Sequence, residues 1–150
     1  MEGIYSKNLI CIKSGSTMGE AKDMMREKRI RHLPVIDSQG RINSMLSSHD
    51  MTDVPKFRDL PVELFASFPV RTVKPDTPLS LVALTMLEEK ISSLIVVENN
   101  EAIGIITSDD LLFQFSLILK DKEKSGGSYN WANVATTAGE FFRKLADIGI

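Results

Sequence analysis

The chain repeats itself, and a repeat constrains architecture more tightly than any single motif, because each copy must form one structural unit packed against its twin. Sliding the 150-residue sequence by 61 positions lays Ile12 and Lys13 on Val73 and Lys74, Met18 on Leu79, Met25 on Met86, Glu27 on Glu88 and Ile30 on Ile91. Leu33, Val35 and Ile36 then fall on Leu94, Val96 and Val97. The offset drops to 60 after Asp37-Ser38-Gln39-Gly40, a turn that reads as one residue longer than its counterpart around Asn99-Asn100. Beyond it, Met45-Leu46-Ser47-Ser48-His49-Asp50-Met51 lies on Ile105-Ile106-Thr107-Ser108-Asp109-Asp110-Leu111.

Each copy reads as short strand, helix, strand, turn, strand, helix, which predicts an α+β fold of two β-α-β-β-α repeats related by a pseudo-twofold axis. In the second copy Leu79, Val82, Ala83, Met86 and Leu87 follow the spacing of one apolar helix face, with Thr77-Pro78 as N-cap and first-turn proline. In the first, Met18, Ala21 and Met25 share a face, and Thr17 with Glu20 makes a capping box, although the alignment puts the cap at Ser16. The runs Leu33 to Ile36 and Leu94 to Val97 read as buried strands. Pro55, Pro61 and Pro69 mark a linker and stop the last helix of the first copy early. The matching helix of the second copy extends from Asp109 to about Lys124, with Leu111, Phe115, Ile118 and Leu119 on one side, until Ser125-Gly126-Gly127-Ser128 breaks it. The expected organisation is a first repeat over 1–54, a linker over 55–68, a second repeat over 69–124 and a tail over 125–150. In that tail Trp131, Val134, Ala135, Ala138, Phe141, Phe142, Leu145 and Ile148 recur at the spacing of an amphipathic helix.

Composition narrows what such a repeat pair does. Eighteen basic against twenty acidic residues give a net charge of −2, with no basic stripe to draw nucleic acid or an anionic membrane surface. Any anionic ligand must therefore be caught by local groups. Cys11 is the only cysteine, which excludes an internal disulfide and zinc sites built on cysteine pairs and points to a reducing cytoplasm. Met1 to Ile10 is not a secretory signal, and Leu111 to Leu119 is far shorter than the roughly 20 apolar residues of a spanning helix. The chain reads as soluble and cytoplasmic. It offers no nucleophile with an obvious base and no phosphate loop with its lysine, so it reads as non-catalytic. A metal set of His32, His49 and Asp50 fits no common ligand spacing.

The informative stretch is the strand-to-helix junction of each repeat. A hydroxyl followed three residues later by Asp puts Thr107 and Asp110 on one side of a first helical turn, and Ser47 and Asp50 repeat the pattern. A carboxylate there can accept both hydroxyls of a ribose, while free N–H groups of a helix start suit a phosphate. The same residues also read as plain N-caps.

Gly104-Ile-Ile-Thr-Ser-Asp-Asp-Leu111 resembles the closing signature of a cystathionine β-synthase (CBS) domain. Ser44-Met-Leu-Ser-Ser-His-Asp-Met51 is a weaker copy, with Ser44 where the family usually has glycine, implying a less open backbone near the ligand. The resemblance covers roughly residues 4–119 and implies a tandem CBS pair, or Bateman module. Such a module senses an adenosine derivative in the clefts between its repeats: AMP, ADP, ATP or S-adenosylmethionine. It implies Asp50 and Asp110 as ribose ligands, with Ser47, Thr107 and Ser108 near ribose or phosphate. Arg31 and His32, with His49, would face phosphates at the Asp50 site. Their counterparts Ser92 and Ser93 are uncharged, so the Asp110 site suits a less anionic ligand or stays empty. The adenine ring would pack on the opposite repeat, against Tyr5, Ile10 and Ile30 at the Asp110 site and against Arg71 and Ile91 at the Asp50 site. Arg31 and His32 alternatively read as solvated strand-edge residues. The family also implies a homodimer paired through helices and an effector protein as partner. The rival reading is a structural dimerisation module with no nucleotide ligand.

Overall fold

The computed structural model describes residues 4–52 and 54–126. The expected tail helix over Tyr129 to Ile150 lies outside the described residues. The chain divides into two compact units, Met1–Leu111 and Leu112–Ile150, and both sheets belong to the first.

The first repeat runs β1 (Ile12–Lys13), α1 (Met18–Lys28), β2 (His32–Ile36) and β3 (Ile42–Ser47), then a 3-10 turn (Ser48–Met51) and a short helix α2 (Val54–Phe57). The second runs β4 (Thr72–Val73), α3 (Leu79–Glu89), β5 (Ser93–Glu98), β6 (Glu101–Thr107) and α4 (Ser108–Lys124). Each repeat forms a three-stranded sheet, ordered β1-β2-β3 and β4-β5-β6. The outer pair β1–β2 is parallel and β2–β3 antiparallel, and β4–β5 and β5–β6 copy both. The two sheets share register: His32 faces Ser47 as Ser93 faces Thr107, and a bulge at Val35/Ile36 recurs at Val96/Val97. The shorter hairpin of the second repeat turns on Asn99 and Asn100, both with positive φ (50° and 65°), the conformation that a two-residue hairpin demands. In the first repeat the Asp37 carboxylate accepts from the N–H groups of Gln39 and Arg41 instead, and Gly40 supplies the positive φ.

Helix α1 begins at Thr17, not Ser16: its hydroxyl accepts from Glu20 N while the Glu20 carboxylate accepts from Thr17 N at 2.8 Å. Helix α3 corrects the sequence reading. Pro78 is its N-cap, one position before the expected first turn, and the Thr77 hydroxyl accepts from Lys74 N rather than capping the helix. Met18, Ala21 and Met25 are buried as their spacing requires, packed with Leu33, Val35 and Leu46. Complete burial of side chains of this size contributes about 1.5–3 kcal/mol each. Val82 and Met86 do the same in the second repeat, with Leu94, Val96 and Ile106. Leu87, predicted for that buried face, is 73% exposed. One residue past Met86, it lies about 100° further round the helix and misses the core. Helix α4 buries none of its residues, so the apolar side read from Phe115 and Ile118 faces outward among the described residues. No described helix is long and apolar enough to cross a membrane.

The segment leading into each repeat pairs with the other repeat's hairpin. Ser6 bridges Ile105 through two backbone bonds of 2.9 and 3.0 Å, and Ser67 bridges Met45 through bonds of 3.0 and 2.9 Å. This crossing brings each repeat's closing junction against the other repeat's lead-in and creates two clefts.

Candidate functional site

The first cleft, of about 740 Å³, is centred on Asp50. Backbone bonds set its walls: Ser48 N donates to the Arg31 carbonyl, fixing the 3-10 turn beside the start of β2. Its lining includes Ser47, His49 and Asp50 from the first repeat and Arg71, Lys90 and Ile91 from the second. Met45, Val70, Met86 and Leu87 add apolar surface. The exposure of Leu87 thus has a consequence here, since the side chain that missed the core becomes cleft wall. Ser108 also lies on this cleft.

The second cleft, of about 370 Å³, is centred on Asp110 and lined by Thr107 and Asp109 together with Ile10, Arg29 and Ile30 of the opposite repeat. Pro34 has no N–H to donate. In the other repeat Ile95, its counterpart, donates to the Arg71 carbonyl at 3.0 Å. The matching carbonyl here is that of Ile10, on the cleft, and it receives no such bond from Pro34.

Both aspartates form capping boxes. Asp50 Oδ2 accepts from Ser47 N at 2.7 Å and Ser47 Oγ at 2.9 Å. Asp110 Oδ2 accepts from Thr107 N and Thr107 Oγ1, both at 2.7 Å. Capping uses one oxygen of each carboxylate; Oδ1 takes no hydrogen bond from the described residues, so the cap and a ligand are not exclusive. The helix-start reading is corrected at the Asp50 junction, where the helix is a four-residue 3-10 turn too short to carry an appreciable dipole. At the Asp110 junction α4 has 17 residues, but Asp109 and Asp110 already fill its first turn with negative charge. Charge in either cleft therefore comes from side chains.

Those side chains are distributed unequally. Arg31, Arg71 and Lys90 line the Asp50 cleft with His32 and His49, against Asp50 alone among carboxylates. Arg71 is partly neutralised by Glu89 at 2.5 Å. The Asp110 cleft sets Arg29 and Arg31 against Asp109 and Asp110. Arg31 and His32 line both clefts. The Arg31 guanidinium is bound to the Asp109 carboxylate across the repeats, and His32 Nε2 lies 2.7 Å from Ser92 Oγ. They are therefore not simply solvated edge residues. Burial pushes the His32 imidazole below its ordinary pKa of 6.5, with the positive charge of Arg31 adding to the effect and Asp109, Asp110 and Asp50 opposing it.

Tyr5, expected on the Asp110 cleft, is instead buried in the core of the second repeat. Its ring fills the space a side chain would need at Gly104: a β-carbon there would stand 2.3 Å from Tyr5 Cδ2. So large a ring gains more from an apolar core than from a half-open cleft. Gly104 thus accommodates the lead-in segment, and its counterpart Ser44 is buried without lining the Asp50 cleft, which removes the expected effect of Ser44 on a ligand. Sequence reasoning missed Lys90 and Arg29. They are equivalent C-caps of α3 and α1, both left-handed (φ 55° and 54°), a conformation that glycine usually takes. Two basic residues at one strained position of both copies were the available signal. Among the described residues no three His, Cys, Asp or Glu side chains are grouped to hold a metal ion, so His32, His49 and Asp50 form no such set.

A family model described as the CBS domain matches residues 1–56 and 61–116, one match over each repeat. The chain belongs to the CBS domain family. Among solved structures, the CBS pair is similar to the CBS domain pair of protein MJ0100, solved in complex with 5′-methylthioadenosine and S-adenosyl-L-methionine. The two share 29% identity with a TM-score of 0.69, over 75% of this chain and 92% of that one. An uncharacterized conserved protein from Pyrococcus horikoshii shares 29% identity with a TM-score of 0.68, over 74% of this chain and 87% of that one. A homoserine O-acetyltransferase of Methanohalophilus mahii is 31% identical over 109 residues, 72% of this chain. The match spans only 23% of that enzyme's length. The likeness to the enzyme is thus confined to a CBS-pair-sized portion of it.

Proposed function

We propose that this chain is a non-catalytic regulatory module that senses adenosine derivatives, holding the ribose of each on Asp50 or Asp110. The observation that carries the reading is the repeated junction: in both clefts a capped aspartate keeps one carboxylate oxygen free of hydrogen bonds from the described residues, where a ribose diol can bind. The ligands of the MJ0100 CBS pair, both adenosine derivatives, support the ligand class.

The balance of charge divides the clefts. Three cationic side chains and two imidazoles favour a phosphorylated ligand, AMP, ADP or ATP, at Asp50. Two cations facing two carboxylates favour a less anionic ligand at Asp110. There the Ile10 carbonyl is an acceptor suited to an adenine amino group, with Ile30 packing on the ring.

Isothermal titration of the full chain with AMP, ADP, ATP and S-adenosylmethionine tests this, repeated on Asp50→Ala and Asp110→Ala. Saturable binding lost in one variant assigns the cleft. No heat from folded, nucleotide-free protein refutes the sensor reading and leaves the dimerisation module. Pairing of two copies is part of the proposal in either case. It is supported by exposed Leu81 and Leu84 on α3 and by exposed Phe113 and Phe115 on α4. An effector protein would read the ligand state.

A further inference from the structure

Two residues, Arg31 and His32, line both clefts; every other lining side chain belongs to one of the two. The Arg31 guanidinium is held by Asp109, whose backbone begins α4 beside Asp110. Both partners are more than half exposed, 58% and 57%, and an ion pair in that setting is weak. A phosphate in the Asp50 cleft offers the same guanidinium more charge and a two-pronged set of acceptors, so it competes well against one carboxylate.

What Arg31 leaves behind is the informative part. Asp109 is the counterpart of His49, so the same position of the fold carries a carboxylate in one cleft and an imidazole in the other. With Arg31 withdrawn, Asp109 and Asp110 stand as neighbouring carboxylates on one first helical turn, a pair that attracts a positive ligand.

We propose that the Asp110 cleft is a site for a cationic adenosine derivative, such as one with a sulfonium centre, and that Arg31 determines its specificity by occupying Asp109 until an anionic ligand fills the Asp50 cleft. This rests on the functional reading above and adds the ligand class and its regulation.

The test titrates S-adenosylmethionine into the full chain with and without saturating AMP. AMP tightens S-adenosylmethionine binding roughly five- to tenfold, the lower range of coupling between sites, and S-adenosylmethionine tightens AMP by the same factor because linkage is reciprocal. Adenosine in place of AMP gives no tightening, since it brings no charge to Arg31. Neutral 5′-methylthioadenosine in place of S-adenosylmethionine gains nothing from AMP. Arg31→Gln binds S-adenosylmethionine with the tightened affinity even without AMP, and AMP then changes it no further. The inference is overturned if AMP leaves S-adenosylmethionine affinity unchanged or weakens it, or if Arg31→Gln keeps the full shift. Wild-type protein that binds no adenosine derivative at all instead removes the functional reading, and this inference with it.

Discussion

Gly104→Ser, which writes the first repeat's Ser44 into the second, tests whether the two repeats have matched their packing separately. The added β-carbon would lie 2.3 Å from Tyr5 Cδ2 and 2.6 Å from the Ser6 carbonyl oxygen, where carbon contacts normally settle near about 3.5–4.0 Å. The segment cannot simply retreat, because Ser6 is pinned by its two backbone bonds to Ile105. Overpacking of this kind costs about 1–3 kcal/mol, and loss of the two bridging bonds adds about 0.5–1.5 kcal/mol each if the segment detaches. Tyr5→Ala alone opens a cavity in the second core and costs about 3–5 kcal/mol. The first repeat has Ala66 at the position of Tyr5 and Ser44 at that of Gly104, a small residue beside a larger one where the second repeat has the reverse. The double variant Tyr5→Ala/Gly104→Ser should therefore be less unstable than the sum of its parts, by about 1–3 kcal/mol. Urea denaturation followed by far-ultraviolet circular dichroism, with a second probe to check for two-state behaviour, measures all four corners of the cycle. Additivity within about 0.5 kcal/mol would refute the account of Gly104 as the partner of Tyr5.

Lys90→Gly should separate binding from folding. The left-handed backbone costs lysine about 1–2 kcal/mol that glycine avoids. Against this stand about 0.3–1 kcal/mol of lost helix-end attraction and about 0.4–1 kcal/mol of added unfolded-chain entropy, so stability should stay within about 1 kcal/mol of wild type. AMP affinity should nonetheless fall roughly twofold to fivefold with adenosine affinity unchanged, as removal of one exposed charge predicts; equal losses for both ligands would show that Lys90 does not select charge. His32 should make the fold acid-sensitive. Its imidazole titrates below the ordinary 6.5, so as the pH falls through about 6.5 the unfolded chain takes up a proton that the folded one resists, and stability drops until the folded value is passed. His32→Gln should flatten this part of the curve, and parallel wild-type and variant curves between about pH 7.5 and 5 would contradict the assignment. Pairing through α3 predicts that Leu84→Glu lowers the mass seen by sedimentation equilibrium; an unchanged mass would move the contact off this face.

Much of the fold was legible because a repeat supplies its own control. The change of offset from 61 to 60 located a turn that differs by one residue, and the bulges at Val35/Ile36 and Val96/Val97 preserve the register on both sides of it. The capped positions of Asp50 and Asp110 at the two junctions were legible for the same reason, since one pattern at two equivalent places exceeds what a single short motif carries. Apolar spacing was less informative where it could be satisfied in two ways. Leu87 extends the helical stripe of α3 in sequence yet lines a cleft, because periodicity reports which residues share a side but not how wide the covered part is. The core position of Tyr5 was not legible, because its destination depends on an absent side chain 99 positions later, at Gly104, and on the crossing of the lead-in segments. Arg31 lines the Asp50 cleft, but its partner Asp109 belongs to the other repeat, and such a pairing appears only when the two copies are brought together.

The duplication also explains where specificity must reside. The same backbone bonds recur at both junctions: Ser48 N donates to Arg31 O as Ser108 N donates to Ser92 O, and both lead-in bridges are present. A nucleoside anchored by such shared features gains little reason to prefer one cleft. Discrimination falls to positions where the copies differ: His49 against Asp109, Arg71 against Ile10, and Arg31-His32 against Ser92-Ser93. The first difference sets a carboxylate beside Asp110 where an imidazole stands beside Asp50, and the last places one guanidinium where both clefts reach it. A ligand that bound two arrangements equally would shift nothing, whatever its affinity. In the proposed reading the Arg31–Asp109 pair is a contact that a charged ligand would treat differently from a neutral one, and a sensor requires such a difference.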